Sequence, residues 1–223
     1  MLDAMSEQSF SDAVHRPRRP LASAPRKSEK TRQAILDSAL EFLWTQPFRD
    51  LTVANLMSAA DASRPTFYQY FTDLHDLMGV LLNEVQHDIL DAARPWFEGP
   101  GDPRTLLDES LSGLVGICYK RGPILRAVSD AAVADELLEK AWAGFMKGFD
   151  ETVAAQIERQ QAAGLVAQFP AHPVAVALNR LDTALLIDQF GRRPRGDRKA
   201  VLESLTRIWI STLYGLPESR QPA

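Results

Sequence analysis

The chain has 223 residues, of which 45% are apolar and 24% charged, with a net charge of −4. This suffices for one or two globular domains. The apolar runs, such as Ala184 to Ile187, are far too short for a membrane-spanning helix. A single cysteine, Cys118, excludes an internal disulfide, and no apolar secretory segment opens the chain, so a cytoplasmic location is expected.

The net acidity hides an asymmetry. Residues 15 to 72 hold nine Arg or Lys against five Asp or Glu, whereas residues 73 to 223 hold sixteen against twenty-one. Such an asymmetry points to the N-terminal part as the end that touches an extended anionic partner, with a chance fluctuation of composition as the alternative. Residues 1–27, rich in Ser, Pro, Ala and Arg, read as a disordered arm. Arg16, Arg18, Arg19, Arg26 and Lys27 make it basic, which fits either a contact with phosphates or a solubilising tail.

From about Ser28 to Thr45 the apolar residues Ile35, Leu36, Ala39, Leu40, Phe42 and Leu43 recur at helical spacing, and Pro47 ends that helix. Two short helices follow. Thr52 can cap the first, whose inward face is Val53, Leu56 and Met57. Ala60, Asp61 and Ala62 make the break. Ser63 can cap the second, Pro65 fits its first turn, and Phe67 and Phe71 face inward. Arg64, Thr66, Tyr68 and Gln69 are left on the outside. A helix-turn-helix requires that division: one face docks on the partner helix and the other enters the major groove.

Asp73 can cap a helix running to about Phe97, and Glu98-Gly-Pro-Gly-Asp102 breaks the chain. The next helix is expected from Pro103 to about Arg121. Gly122-Pro123 reads as another break, followed by a short helix to about Ala132. A long helix spans about Asp135 to Ala163. Another runs from Pro173 to near Gly191, and the last from near Asp197 to Gly215. The expected fold is all-α, with three helices in a helix-turn-helix domain (28–72), six in a second domain (73–216), and a flexible tail at 217–223.

Residues 32 to 80 resemble the TetR family of bacterial transcriptional regulators. The likeness is carried by Arg32, Ile35, Leu36, Ala39, Leu43, Phe48, Leu51-Thr52-Val53, Leu56, Ala59-Ala60, Ser63, Thr66-Phe67-Tyr68, Tyr70-Phe71 and Leu77. Further on, Ala177-Leu178-Asn179 and Ile208-Trp209-Ile210-Ser211-Thr212-Leu213-Tyr214-Gly215 resemble the branch of that family containing the mycobacterial ethionamide-resistance regulator EthR. The resemblance implies an all-helical homodimer whose second domain binds a small molecule that weakens operator binding. Two positions depart from the pattern. Asp61 stands where a turn glycine is usual, and Asp tolerates left-handed backbone. Leu74, beside His75, stands where the family often has a phosphate-contacting Lys.

The expected DNA-contacting residues are Thr52, Val53, Ser63, Arg64, Pro65, Thr66, Tyr68, Gln69 and Tyr70. Arg64 is the candidate base reader, because a guanidinium can bond both acceptors of a guanine edge. Tyr68 and Tyr70 match the family's phosphate-contacting hydroxyls. Expected effector-binding residues are Phe97, Leu114, Ile117, Cys118, Trp142, Phe145, Met146, Phe149, Asn179 and Asp182. The apolar ones fit a pocket wall as well as plain core packing. Asn179 matches an asparagine of the EthR branch that reaches into the ligand tunnel. Asp182 replaces a second asparagine there, and it could instead pair with Arg180 or Arg207. The excess of apolar faces on the last two helices suits a dimer interface, with an intrachain core as the rival.

No histidine group has metal spacing and no catalytic motif is present, so no enzyme, cofactor or metal is expected. The partners expected are a double-stranded DNA operator, a hydrophobic small-molecule effector and a second copy of the chain, with no membrane. The expected function is a repressor on an inverted repeat, released by its effector. An activator or corepressor-dependent regulator of the same fold, and a helical ligand-binding module without DNA function, are the alternatives.

Overall fold

The computed structural model describes residues 25–215. Among them are eight α-helices and no strand: α1 (Pro25–Leu43), α2 (Val53–Ala59), α3 (Arg64–Tyr70), α4 (Leu74–Glu98), α5 (Pro103–Ala131), α6 (Glu136–Ala162), α7 (Ala171–Phe190) and α8 (Arg198–Tyr214). A 3-10 turn at Phe48–Asp50 precedes α2. Helix α1 starts three residues earlier than expected. The rest of the basic arm and the tail from Leu216 lie outside the described residues.

The described residues form two compact units. One holds residues up to Glu84 together with Pro123–Phe145, and the other holds Val85–Gly122 together with residues from Met146 onward. In the first unit Ile35, Leu36, Ala39 and Leu43 of α1 are buried, as are Leu56 and Met57 of α2, Phe67 of α3, Phe71, and Leu77 and Met78 of α4. Apart from Ala39, each such side chain contributes about 1.5–3 kcal/mol when fully removed from water. Arg32 of α1 pairs with Glu84 of α4 at 3.5 Å and lies over the Phe71 ring. Arg126 of α5, itself buried, donates to the carbonyls of Leu43 and Gln46. Those oxygens lie at and just beyond the end of α1, where carbonyls have no intrahelical partner.

In the second unit Trp96 organises the core, packed edge-on against Trp209 with ring centroids 5.7 Å apart. Its polar atoms are all engaged. The indole N–H donates to Tyr214 Oη at 2.9 Å, the backbone N–H to Ser110 Oγ, and the carbonyl accepts from Gln156. Tyr214 in turn donates to Gln160 at 2.7 Å. Satisfying buried polar groups in this way avoids a penalty of about 1–3 kcal/mol each.

The expected break at Gly122-Pro123 is not there: the two helices foreseen on either side are the single helix α5. Proline removes one backbone donor, which should orphan the carbonyl four residues earlier. That carbonyl belongs to Tyr119, and it accepts a bond from Arg195 Nη1 at 2.8 Å. The Arg195 guanidinium also sits over the Tyr119 ring, 3.8 Å from its centroid. The other helix ends lie within two residues of expectation, including the Asp197 cap and Gly215 terminus of α8.

Candidate nucleic-acid interface and ligand site

Helix α2 begins with a reciprocal cap. Thr52 Oγ1 accepts from Asn55 N at 3.1 Å, and Asn55 Oδ1 accepts from Thr52 N at 2.9 Å. Asn55 also donates to the Asp50 carbonyl, tying the helix to the preceding 3-10 turn. After α2, Asp61 adopts φ 48°, the left-handed conformation its side chain tolerates. Ser63 then caps α3 by accepting from Thr66 N, and its hydroxyl bonds that of Thr66 at 2.7 Å. Phe67 is fully buried and in ring contact with Phe71 at 5.5 Å, which turns the opposite side of α3 outward. Arg64, Pro65, Tyr68 and Gln69 are exposed, and Thr66 and Tyr70 are half-exposed. Arg64 and Tyr68, one turn apart, lie within 3.4 Å of each other. Thr52 and Ser63 are exposed and Val53 is half-buried. The nine residues expected at DNA thus cluster on α3 and at the two helix starts.

Beside Leu74, His75 is held inside its own unit. Its Nε2 lies 2.6 Å from Asp135 Oδ2 and its ring meets Phe48 edge-on. Asp135 also accepts from the backbone of Leu137 and Leu138, capping α6. Burial raises the Asp135 carboxyl, but the hydrogen bonds from His75 and from those amides outweigh it and leave the pKa below its ordinary value.

The residues expected at an effector divide between the two units. Trp142 and Phe145 belong to the first, where their rings stack at 5.3 Å. The other eight lie in the second unit. Phe97 and Leu114 pack on the Trp96–Trp209 core, and Cys118, Met146, Asn179 and Asp182 are buried. Phe149 is half-buried. Burial, assisted by the charge of Asp182, pushes the Cys118 thiol up to about 12, so it acts as a small apolar group.

Asp182 corrects one expectation. It pairs with neither Arg180 nor Arg207. Both its oxygens accept from Trp209 Nε1, at 2.9 and 3.1 Å. Residues two apart on a helix point to different sides. Arg180, on the same helix, therefore cannot share the direction of Asp182, and it binds Asp150 at 2.9 Å instead. The same rule turns the exposed Arg207 away from Asp182 once Trp209 faces it. Asn179 also bonds Asp150, through its amide at 2.9 Å. Asp150 is the polar residue that the sequence reading missed. It sits one place beyond Phe149 and one turn beyond Met146 on the same helix.

Ile117 lines a cleft of about 520 Å³ in the second unit, together with Asp88, Ala92, Ser112, Gly113, Gly116, Lys120, Arg121 and Arg198.

A capped helix, a left-handed turn residue and a second capped helix with an exposed Arg-Tyr-Gln face define a helix-turn-helix protein of the DNA-binding regulator class. The N-terminal model of the tetR family of bacterial regulatory proteins matches residues 35–78, and that of the C-terminal domain of transcriptional regulator EthR matches residues 107–215. The HTH-type transcriptional regulator EthR of Mycobacterium tuberculosis is 28% identical over 186 residues, 82% of this chain and 86% of that protein. EthR of Mycolicibacterium smegmatis is 27% identical over 203 residues, 86% of this chain and 90% of its own. Among solved structures, NalD, the secondary repressor of the MexAB-OprM multidrug efflux pump in Pseudomonas aeruginosa, superposes with a TM-score of 0.68. It is 21% identical and covers 85% of this chain and 98% of its own. Regulatory protein TetR from Rhodobacter sphaeroides gives 0.66 at 18% identity, over 82% and 98%. These two share the fold. The chain belongs to the TetR family, as an EthR-like transcriptional regulator.

Proposed function

We propose that this regulator is a repressor that binds an inverted-repeat operator as a homodimer and is released by a small lipophilic effector. Residues 28–72 read DNA, and residues 73–216 bind the effector and dimerise. The observation that carries the reading is the outward face of α3. Arg64, Tyr68 and Gln69 stand exposed on a helix fixed by the Ser63 cap and the buried Phe67. In a dimer the two α3 helices would enter successive major grooves, about 34 Å apart along the duplex. Arg64 would read a base edge, Tyr68 and Tyr70 would hold phosphates, and Thr52 and Ser63 would meet the backbone.

Dimerisation through α7 and α8 is supported by the half-buried apolar side chains that these helices retain in the single chain, among them Val174, Leu181, Leu185, Ile208 and Ile210. The effector is assigned to the second unit, around Asn179, Asp182 and Cys118. An effector with higher affinity for a dimer whose α3 helices are wrongly spaced would draw the population off DNA.

The test is a gel shift on the DNA upstream of the gene. Binding should weaken steeply with salt, and Arg64→Ala should weaken it by about 1–3 kcal/mol, roughly ten- to hundredfold. Absence of salt-sensitive binding, together with an Arg64→Ala protein that behaves as wild type, would remove the DNA role.

A further inference from the structure

The 520 Å³ cleft of the second unit is walled by α4, α5 and the start of α8. Three cationic side chains face it, Lys120 and Arg121 from α5 and Arg198 from α8, against one carboxylate, Asp88 of α4. Asp88 and Arg121 form an ion pair at 3.2 Å, so these two charges offset each other. Lys120 and Arg198 carry the remaining charge. Asp197, next to Arg198, is occupied elsewhere, accepting from the amides of Lys199 and Ala200 to cap α8.

Two glycines one turn apart, Gly113 and Gly116, are among the lining residues. A Cβ on Gly113 would lie 2.7 Å from Ala92 Cβ, so this glycine lets α4 and α5 come together at one rim. A Cβ on Gly116 would lie 3.0 Å from Arg198 Nη2, so here the missing side chain leaves a seat for the guanidinium against the helix. Glycine inside a helix costs about 0.5–1 kcal/mol relative to alanine. In return α5 gains a recess in which a charge from α8 is laid over its surface. Beside the cations the lining is apolar at Ala92 and Ile117 and hydroxylic at Ser112.

We infer that this cleft binds an amphipathic anion, whose carboxylate or phosphate group is held by Lys120 and Arg198 and whose apolar part lies against Ala92 and Ile117. Arginine and lysine favour such groups through charge-assisted hydrogen bonds, and the volume lies within the range of small-molecule sites. Neither Asn179 nor Asp182 is among the cleft's lining residues. Its ligand is read without DNA, so its failure would leave the DNA-binding proposal standing.

Calorimetric titration of the full chain at low ionic strength, with octanoate, octyl phosphate, octanol and octylamine as probes, tests the assignment. One or both anions should bind, and the stronger of the two identifies the head group. The alcohol and the amine should bind at least tenfold more weakly. Lys120→Gln with Arg198→Gln should weaken the anion at least tenfold. Gly116→Leu should do the same by filling the seat while keeping both charges. Failure of both anions to bind, equal binding of octanol, or unchanged anion binding in either variant would overturn the assignment.

Discussion

Replacing Asp182 by Asn gives the sharpest physical test of the second unit. Burial pushes the Asp182 carboxyl from its ordinary 3.8 up to about 7, while the Trp209 N–H pulls weakly the other way. The folded protein therefore holds a proton that the unfolded chain releases near pH 4. The contribution of this one carboxyl to stability is greatest below that point and falls as pH rises towards about 7, where the folded carboxyl also ionises and the loss levels off. At about 1.4 kcal/mol for each tenfold change in proton affinity, the interval from 3.8 to about 7 corresponds to roughly 4 kcal/mol in total. About half of that falls between roughly pH 5 and 7. Asn keeps an oxygen for the Trp209 donor but does not titrate. The stability of Asp182→Asn relative to wild type should therefore rise by about 2 kcal/mol from the bottom to the top of that window, or roughly 4–8 °C in Tm for a chain of this size. Thermal melts of both proteins at matched concentration measure it, and groups common to both cancel in the difference. A gap that stays constant from about pH 5 to 7.5 would show that the carboxyl ionises normally in the fold and that the burial argument is wrong.

Two further substitutions probe the local supports. Thr52→Ala removes one half of the cap on α2 and should lower stability by about 1 kcal/mol, read in urea unfolding; a change within error would mean that Asn55 holds the helix start alone. Arg195→Ala strips the Tyr119 carbonyl of its donor beside Pro123 and the ring of its cation, and should cost about 1–2 kcal/mol. The same change in a Pro123→Ala background should cost less, because the backbone N–H is restored; equal losses in the two backgrounds would refute the compensation.

The helix-turn-helix was legible because everything that builds it is local. Thr52 and Asn55 are three residues apart, as are Ser63 and Thr66, and Phe67 and Phe71 are separated by one turn. The left-handed Asp61 follows from its side-chain chemistry and its place between two caps. Helix ends marked by Asp197, Gly191 and Gly215 were legible for the same reason. The effector-site residues were legible only as buried positions. What each polar one touches depends on partners far along the chain. Asp182 meets Trp209 across 27 residues, and Asn179 meets Asp150 across 29. Nothing within a helical turn of Asp182 announces an indole donor, whereas the nearby arginines are visible and mislead.

Gly122-Pro123 shows why local punctuation fails inside a packed helix. A Cβ on Gly122 would stand 2.5 Å from the Phe190 carbonyl, so the glycine is there to admit the end of α7, not to stop α5. That approach brings the residues after α7 beside the Tyr119 turn, and Arg195 of that segment supplies the hydrogen bond that Pro123 removed. The glycine and the proline are thus two sides of one contact: one makes room for the neighbouring chain, and the other leaves an acceptor for it to bond. Read alone, each residue argues for a break. Only a donor 76 residues away decides for continuity, and a sequence carries no mark of that pairing unless the tertiary contact is already known.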